Sequence, residues 1–284
     1  MMTELSSADF PPATWRLIVE TDPHDGAWNM AVDETLMEAV AAGASPPVLR
    51  CYQWAPPCLS LGKRQPIGTV DLAACQVDGV HIVRRATGGG AILHTDELTY
   101  SVAIAPDDPR AAAPMLDAYR RISQGLVAAL ASLGLTAEMN PFVAGGPQVS
   151  SAACFEAPSA YEITVSGMKL IGSAQARPAG RVLQHGSIPL HGDIGRIARY
   201  LAYESPEERE ALAAHLRERA TTLDAVAGRE VTFVECAGAV GVGFTSALRL
   251  ALAPSALNAD EMQAALVRAA GKRAEVEADL ASIA

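Results

Sequence analysis

The residues best equipped for covalent chemistry lie between positions 154 and 190. Cys154 follows a loop of small residues and precedes Phe155-Glu156-Ala157-Pro158-Ser159, and Lys169 comes fifteen positions later. Tyr161–Val165 is β-rich, Ser166-Gly167 is a turn dipeptide and Met168–Ile171 resumes an extended pattern, which predicts a hairpin holding Lys169 on a strand. Gly172, Ser173 and Ala174 continue it, and small residues in a strand mark close approach of backbone to a ligand or another strand. After the Pro178-Ala179-Gly180 turn, Val182–Leu190 reads as a further strand carrying His185 and Gly186. The thiolate is the nucleophilic form of cysteine, and a neighbouring ammonium lowers its pKa, each unit corresponding to roughly 1.4 kcal/mol. A thiol, a lysine and a glycine-lined floor are the parts of an acyl-transfer site. Plainer readings stand beside this one: a lone cysteine is commonly a small buried hydrophobe, and Lys169 could be a surface lysine. Cys51 and Cys58, within apolar strands, read as core, and Cys75 and Cys236 have no distinguishing context.

A second cluster runs from Arg84-Arg85 through Gly88, Gly89 and Gly90 to His94. Three successive glycines between strands are either a bulged turn that needs positive φ or a backbone wall against which a ligand lies. On the second reading, Arg84 and Arg85 hold an anionic group. The pattern is not a P-loop, since no Gly-x4-Gly-Lys-Ser/Thr follows. His94 and His185 are possible general bases or ligand hydrogen-bonders.

The positioning elements can be read in outline. Trp15–Glu20 predicts an opening strand, and Asp25 caps a helix whose Trp28, Val32, Leu36 and Val40 recur on one face. Asn29, Asp33 and Glu34 fall off that stripe and read as a solvated face. Short strands are predicted at Val48–Trp54, Cys58–Gly62, His81–Arg85 and Glu97–Ile104, with a short helix over Thr69–Gln76. Pro114–Leu133 carries a helical stripe ending at Gly134, and Thr136–Ser151 is loop-like. From Ile194 onward the pattern is helical, including Pro206–Arg219, the region Ser246–Ala253, and Ala259–Ala270.

Composition bounds the setting. Of 284 residues, 50% are hydrophobic and 19% charged, enough for a sizeable core. A net charge of −10 argues against nucleic acid as a partner. The polar, proline-containing start reads as a flexible tail over 1–14, and no apolar run is long enough to predict a membrane span. Five cysteines without paired spacing suit reduced thiols in a cytoplasmic protein better than disulfides or a zinc site.

Taken in order, Asn29-Met-Ala-x-Asp-Glu34, Ser60-Leu61-Gly62, Arg84–His94, Gly167–Gln175 and Leu183–Ser187 resemble the superfamily of lipoate and biotin protein ligases and octanoyltransferases. The likeness spans Trp15 to Leu190. It implies an α/β (α+β) ligase-like catalytic domain, a mixed sheet flanked by helices, over 15–203, followed by a small helical section over 204–284. Cys154-Phe-x-x-Pro-Ser-x-Tyr-Glu162 is similar to octanoyltransferases of the LipM type, in which that cysteine is the nucleophile. The implied activity moves an octanoyl group from octanoyl-acyl carrier protein, through a thioester on Cys154 assisted by Lys169, to the lysine of a lipoyl domain. Glycine cleavage H protein and 2-oxoacid dehydrogenase E2 are the implied acceptors, with no cofactor or metal.

Arg84, Arg85, Gly88, Gly89, Gly90, His94, Gly172, Ser173, Ala174, His185 and Gly186 are then expected to line the substrate site. Lys63, Arg64, Arg84 and Arg85 are expected to dock the acidic carrier. Thr95, where an acidic residue is frequent, and Met168, where a basic one is, depart from the common pattern. Three alternatives stay open: an ATP-dependent lipoate ligase, an amidotransferase between lipoyl domains, and a silent acyl- or biotin-binding module.

Overall fold

The computed structural model describes residues 10–139 and 162–282. Cys154 and positions 140–151 of the predicted loop therefore lie outside the described residues, as do positions 1–9. The chain begins with β1 (Ala13–Val19), and Asp25 caps α1 (Gly26–Ala41) by accepting from the Trp28 N–H at 2.7 Å. β2 (Val48–Tyr52), β3 (Cys58–Leu61), α2 (Leu72–Asp78), β4 (His81–Arg84), β5 (Ile92–His94) and β6 (Glu97–Ile104) follow. Next come α3 (Met115–Ser132), β7 (Ala137–Met139), β8 (Ile163–Val165), β9 (Met168–Ala176) and β10 (Val182–Pro189). The remainder forms α4 (Pro206–Arg219), α5 (Leu223–Ala227), α6 (Phe233–Leu248), β11 (Leu250–Pro254) and α7 (Ala259–Ala281).

The fold is mixed α/β. An eight-stranded sheet runs β11-β1-β2-β6-β10-β9-β8-β7, with β1 parallel to both its neighbours and the other pairings antiparallel. A second sheet of three strands runs β4-β3-β5. Period-two alternation along β6 explains how two helical layers are served. Leu98, Tyr100, Val102 and Ile104 join the core beneath α3 and α6, whereas Ala103 packs with Val32, Leu36 and Val40 of α1. The helices cover both faces, so all eight positions of β6 are buried. The β8–β9 turn places Ser166 and Gly167 at φ of 52° and 79°, the doubly left-handed geometry of a tight hairpin.

Several expectations need correction. Ser246–Ala253 is not one helix: α6 ends at Arg249 in the left-handed region (φ 51°), and β11 pairs with β1 from Ala13↔Leu250 onward. Its Leu-Ala-Leu-Ala run carries helical propensity, and edge pairing in the sheet overrides it. Ala137–Met139 is a strand paired with β8 instead of loop, and Ile92–His94 is a strand paired with β3. Three residues are too few for a period to show. The short helix begins at Leu72, after a 3-10 turn at Ile67–Thr69. Residues 10–14, read as tail, are ordered into the body, with Phe10 buried in the core. The largest difference is on α1, where Asn29 and Asp33 are buried and not solvated.

Candidate active site

Asp33 shows why its helix face turns inward. One carboxylate oxygen accepts from Arg50 Nη1 at 2.8 Å and Ser101 Oγ at 2.7 Å; the other accepts from the Tyr52 hydroxyl at 2.8 Å. Asn29 Oδ1 accepts from Arg50 Nη2 at 2.9 Å, so positions four apart on α1 grip one guanidinium. His185 Nδ1 lies 3.3 Å from Asp33, and its Nε2 lies 2.7 Å from Thr87 Oγ1. A second relay of the same kind runs alongside. Glu97 Oε1 is 2.7 Å from His94 Nδ1, and His94 Nε2 is 2.7 Å from Ser60 Oγ. Glu97 also accepts from Ser187 Oγ at 2.6 Å and from Thr99 Oγ1.

Both relays end on Arg85. This buried guanidinium donates to Thr87 Oγ1, to the Ser60 carbonyl at 2.8 Å and to the carbonyls of Gly88 and Gly90 at 2.8 and 2.7 Å. It therefore holds the glycine run in place. Gly62 completes the fit: a Cβ there would stand 2.0 Å from the Gly89 carbonyl oxygen, which only glycine tolerates. Arg84 is committed elsewhere, bonding the carbonyls of Gly62 and Gln65 and pairing with Asp279 on α7. Lys63 and Arg64 are exposed beside the glycine run.

The glycine-lined floor forms the opposite wall. Gly172, Ser173 and Ala174 pair with Ser187, Gly186 and His185 across β9 and β10. Tyr100 donates to Ser173 Oγ at 2.8 Å and is fixed by Gln184 at 3.0 Å. Between this wall and the three-stranded sheet lies a narrow cavity of about 20 Å³, also walled by Met30, Tyr52, Trp54 and His94. Most of its polar side chains are bonded to one another, so they present carbon to the interior, a lining suited to an apolar chain. A wider basin of about 920 Å³ is bounded by the glycine run, Lys63, Arg64, Arg177 and Met115.

Lys169 is buried on β9, its Nζ 2.7 Å from Glu162 Oε1. It is no surface lysine. Its carbonyl accepts from the Thr221 N–H at 2.9 Å, which anchors the strand to the segment after α4. Cys51, Cys58, Cys75 and Cys236 are all buried. Burial pushes Cys75 up to about 11 and Cys236 up to about 12, and raises Cys51 and Cys58 as well. None of these four can supply a thiolate near neutral pH.

The family model for the lipoyl protein ligase A/B catalytic domain matches residues 25–245. The chain belongs to that family. Octanoyltransferase LipM of Brevibacillus brevis is 39% identical over 254 residues, covering 87% of this chain and 92% of its own. Octanoyltransferase LipM of Kyrpidia tusciae is 42% identical over 257 residues, covering 89% and 93%. Among solved structures, the bipartite lipoate protein ligase of Thermoplasma acidophilum superposes with a TM-score of 0.76 at 23% identity, over 90% of this chain and 92% of that one. A lipoate-protein ligase A bound with ATP gives 0.72 at 22%, over 91% and 94%. At those identities the superpositions establish the shared fold.

Within this lipoyl ligase A/B domain, sequence reasoning located the glycine run, the histidines and Lys169. It missed Asp33, Arg50, Thr87, Ser60 and Glu97. One signal was available: Asn29 and Asp33 stand four apart on α1 and so share a face. Among the described residues, no group of three or more His, Cys, Asp or Glu could hold a metal ion, and no helix is long and apolar enough to cross a membrane.

Acid should undo the two relays. Burial alone would raise both carboxyls, but His185, Arg50 and Ser101 hold Asp33 below its ordinary 3.8, and His94, Ser187 and Thr99 hold Glu97 below 4.5. A folded value below the unfolded one stabilises the fold above the ordinary pKa, and that contribution is lost as pH falls through the folded value. Thermal midpoints are therefore expected to drop below about pH 4.5, with a shallower drop in Glu97→Gln. Equal slopes for the two proteins would show that Glu97 takes no part.

Proposed function

We propose that this chain, an acyltransferase of the lipoyl protein ligase A/B catalytic-domain family, moves an octanoyl group from octanoyl-acyl carrier protein to the lysine of a lipoyl domain in lipoate biosynthesis, through a thioester on Cys154. The burial of Cys51, Cys58, Cys75 and Cys236 carries this reading, because it removes every cysteine but Cys154 from contention. The names of the LipM relatives support the same chemistry. Native labelling with iodoacetamide should then modify Cys154 quickly and the other four only after denaturation. Fast labelling of any of those four would contradict it.

In the first step the Cys154 thiolate attacks the donor's carbonyl carbon. The new C–S bond forms as the old one breaks, and the carrier leaves as its thiolate, which takes a proton from water. The Lys169 ammonium favours the thiolate and the developing oxyanion. The acyl chain enters the apolar-lined cavity, whose walls part to admit it, while its carbonyl end reaches the basin. In the second step the target lysine of glycine cleavage H protein or a 2-oxoacid dehydrogenase E2 attacks, the amide forms and Cys154 is released. Thioester exchange is nearly isoenergetic and amide formation runs downhill, so no ATP is consumed. Lys63 and Arg64 at the basin rim face the acidic carrier, whereas Arg84 and Arg85 serve the protein's own scaffold.

Mixing the protein with octanoyl-acyl carrier protein and H protein, without nucleotide, should yield octanoylated H protein by mass spectrometry. Product formed only from free lipoate or octanoate with Mg-ATP would overturn the reading in favour of a ligase.

A further inference from the structure

The cavity contains a second nucleophile that the cysteine route does not use. Ser60 Oγ, His94 Nε2, His94 Nδ1 and Glu97 Oε1 form an unbroken run with both contacts at 2.7 Å. A hydroxyl, an imidazole and a carboxylate in that order are the parts that activate a serine, recognised by geometry and not by sequence position. Each member is fixed. The imidazole lies flat on Trp54, with ring centroids 3.9 Å apart and planes 7° from parallel. Glu97 is held by Ser187 and Thr99, and Trp54 Nε1 donates to Thr99 Oγ1 at 2.8 Å. Arg85 Nη1 donates to Ser60 Oγ at 3.1 Å, which leaves the hydroxyl proton of Ser60 to His94 Nε2.

Ser60, His94 and Arg85 wall the cavity, and Glu97 stands behind them. The parallel run Thr87–His185–Asp33 differs in two respects. Thr87 does not wall the cavity, and Asp33 is ion-paired to the Arg50 guanidinium whereas Glu97 accepts from hydroxyls and His94. Among the described residues, an apolar-lined cavity and a complete relay coincide at Ser60.

We propose that Ser60 is a second acyl acceptor, which takes a medium-chain acyl group from a thioester and passes it to water. In the first half, the donor's carbonyl is drawn from the basin into the cavity, and the Ser60 Oγ–C bond forms as the donor's C–S bond breaks. His94 Nε2 takes the hydroxyl proton and returns it to the departing thiolate. In the second half, water attacks the serine ester, His94 takes its proton, and Oγ leaves with that proton restored. The products are a free fatty acid and a thiol, with no oxidant or nucleotide involved. The chain thereby has a slow thioesterase activity when no lysine acceptor is docked.

The test uses the full chain as Cys154→Ala, which removes the thiol route while keeping the cavity. An octyl fluorophosphonate probe should give a phosphonyl adduct that peptide mass mapping places on Ser60, and Glu97→Gln in the same background should slow its formation at least about tenfold. Octanoyl-pantetheine hydrolysis should fall about 100-fold or more on adding Ser60→Ala. The adduct needs no change at Ser60, so it decides the matter even if Ser60→Ala folds poorly. Absence of an adduct on Ser60, an adduct on Thr87 or another hydroxyl instead, or hydrolysis unchanged by a folded Ser60→Ala would overturn the proposal. Failure of the cysteine route would appear separately, as wild-type protein without a cysteine thioester.

Discussion

Arg50→Met should cost about 3–5 kcal/mol of folding stability at neutral pH, the penalty for leaving a buried charge without its partner. Arg50 is fully buried and spans β2 to α1, bonding Asp33 Oδ1 at 2.8 Å, Asn29 Oδ1 at 2.9 Å and Glu20 at its outer end. Its guanidinium also lies 3.8 Å from the centre of the Tyr52 ring. Methionine replaces much of the volume but none of the charge, so Asp33 would keep only hydroxyl and imidazole donors. Tyr52 cannot compensate by ionising, because burial and the adjacent Asp33 carboxylate push its hydroxyl well up. Glu20→Gln is the control. Glu20 is the more exposed partner, at 17% against 1% for Asp33, and its loss should cost less than about 1 kcal/mol. Urea unfolding measures both. A loss below about 1 kcal/mol in Arg50→Met would show that this network is not what holds α1 to the sheet.

Lys169→Gln should slow loading of the acyl group about 10²- to 10³-fold, the range for losing one preorganised donor at a developing oxyanion. It should also move the pH at which loading is half-maximal upward, because removing an ammonium raises the pKa of the thiol it served. The pH profile separates this role from a structural one. Lys169 pairs with Glu162 at 2.7 Å, so a purely structural lysine would lower stability and leave the profile in place. Glu162→Gln keeps the ammonium, and loading should persist in it. An unchanged profile in Lys169→Gln would confine that residue to its ion pair.

The parts of this molecule legible in the sequence are those written locally. The Asp25 cap, the stripe Trp28–Val40 and the Ser166-Gly167 turn each depend on residues within a few positions, and each is found where expected. The glycine run and the strands bearing Lys169 and His185 were legible for the same reason. The carboxylate–imidazole–hydroxyl relays were not. His185 meets Asp33 across 152 positions and Thr87 across 98, and nothing in the periodicity of either segment announces a partner so distant. The same holds for β11, whose pairing with β1 joins the two ends of the chain. Arg84 and Arg85 looked alike in sequence, but the strand alternation sends one to α7 and the other to the glycine run. Recognition of Cys154 came from the motif around it, and burial of the other four thiols is an independent argument for the same residue.

The most direct measurement of the central claim is intact-mass spectrometry of wild type and Cys154→Ala after mixing each with octanoyl-acyl carrier protein in the absence of ATP. The account predicts one octanoyl adduct on wild type, removed by neutral hydroxylamine, and no such thioester on Cys154→Ala. The same hydroxylamine-labile adduct on both proteins, or transfer to H protein by Cys154→Ala at the wild-type rate, would contradict it.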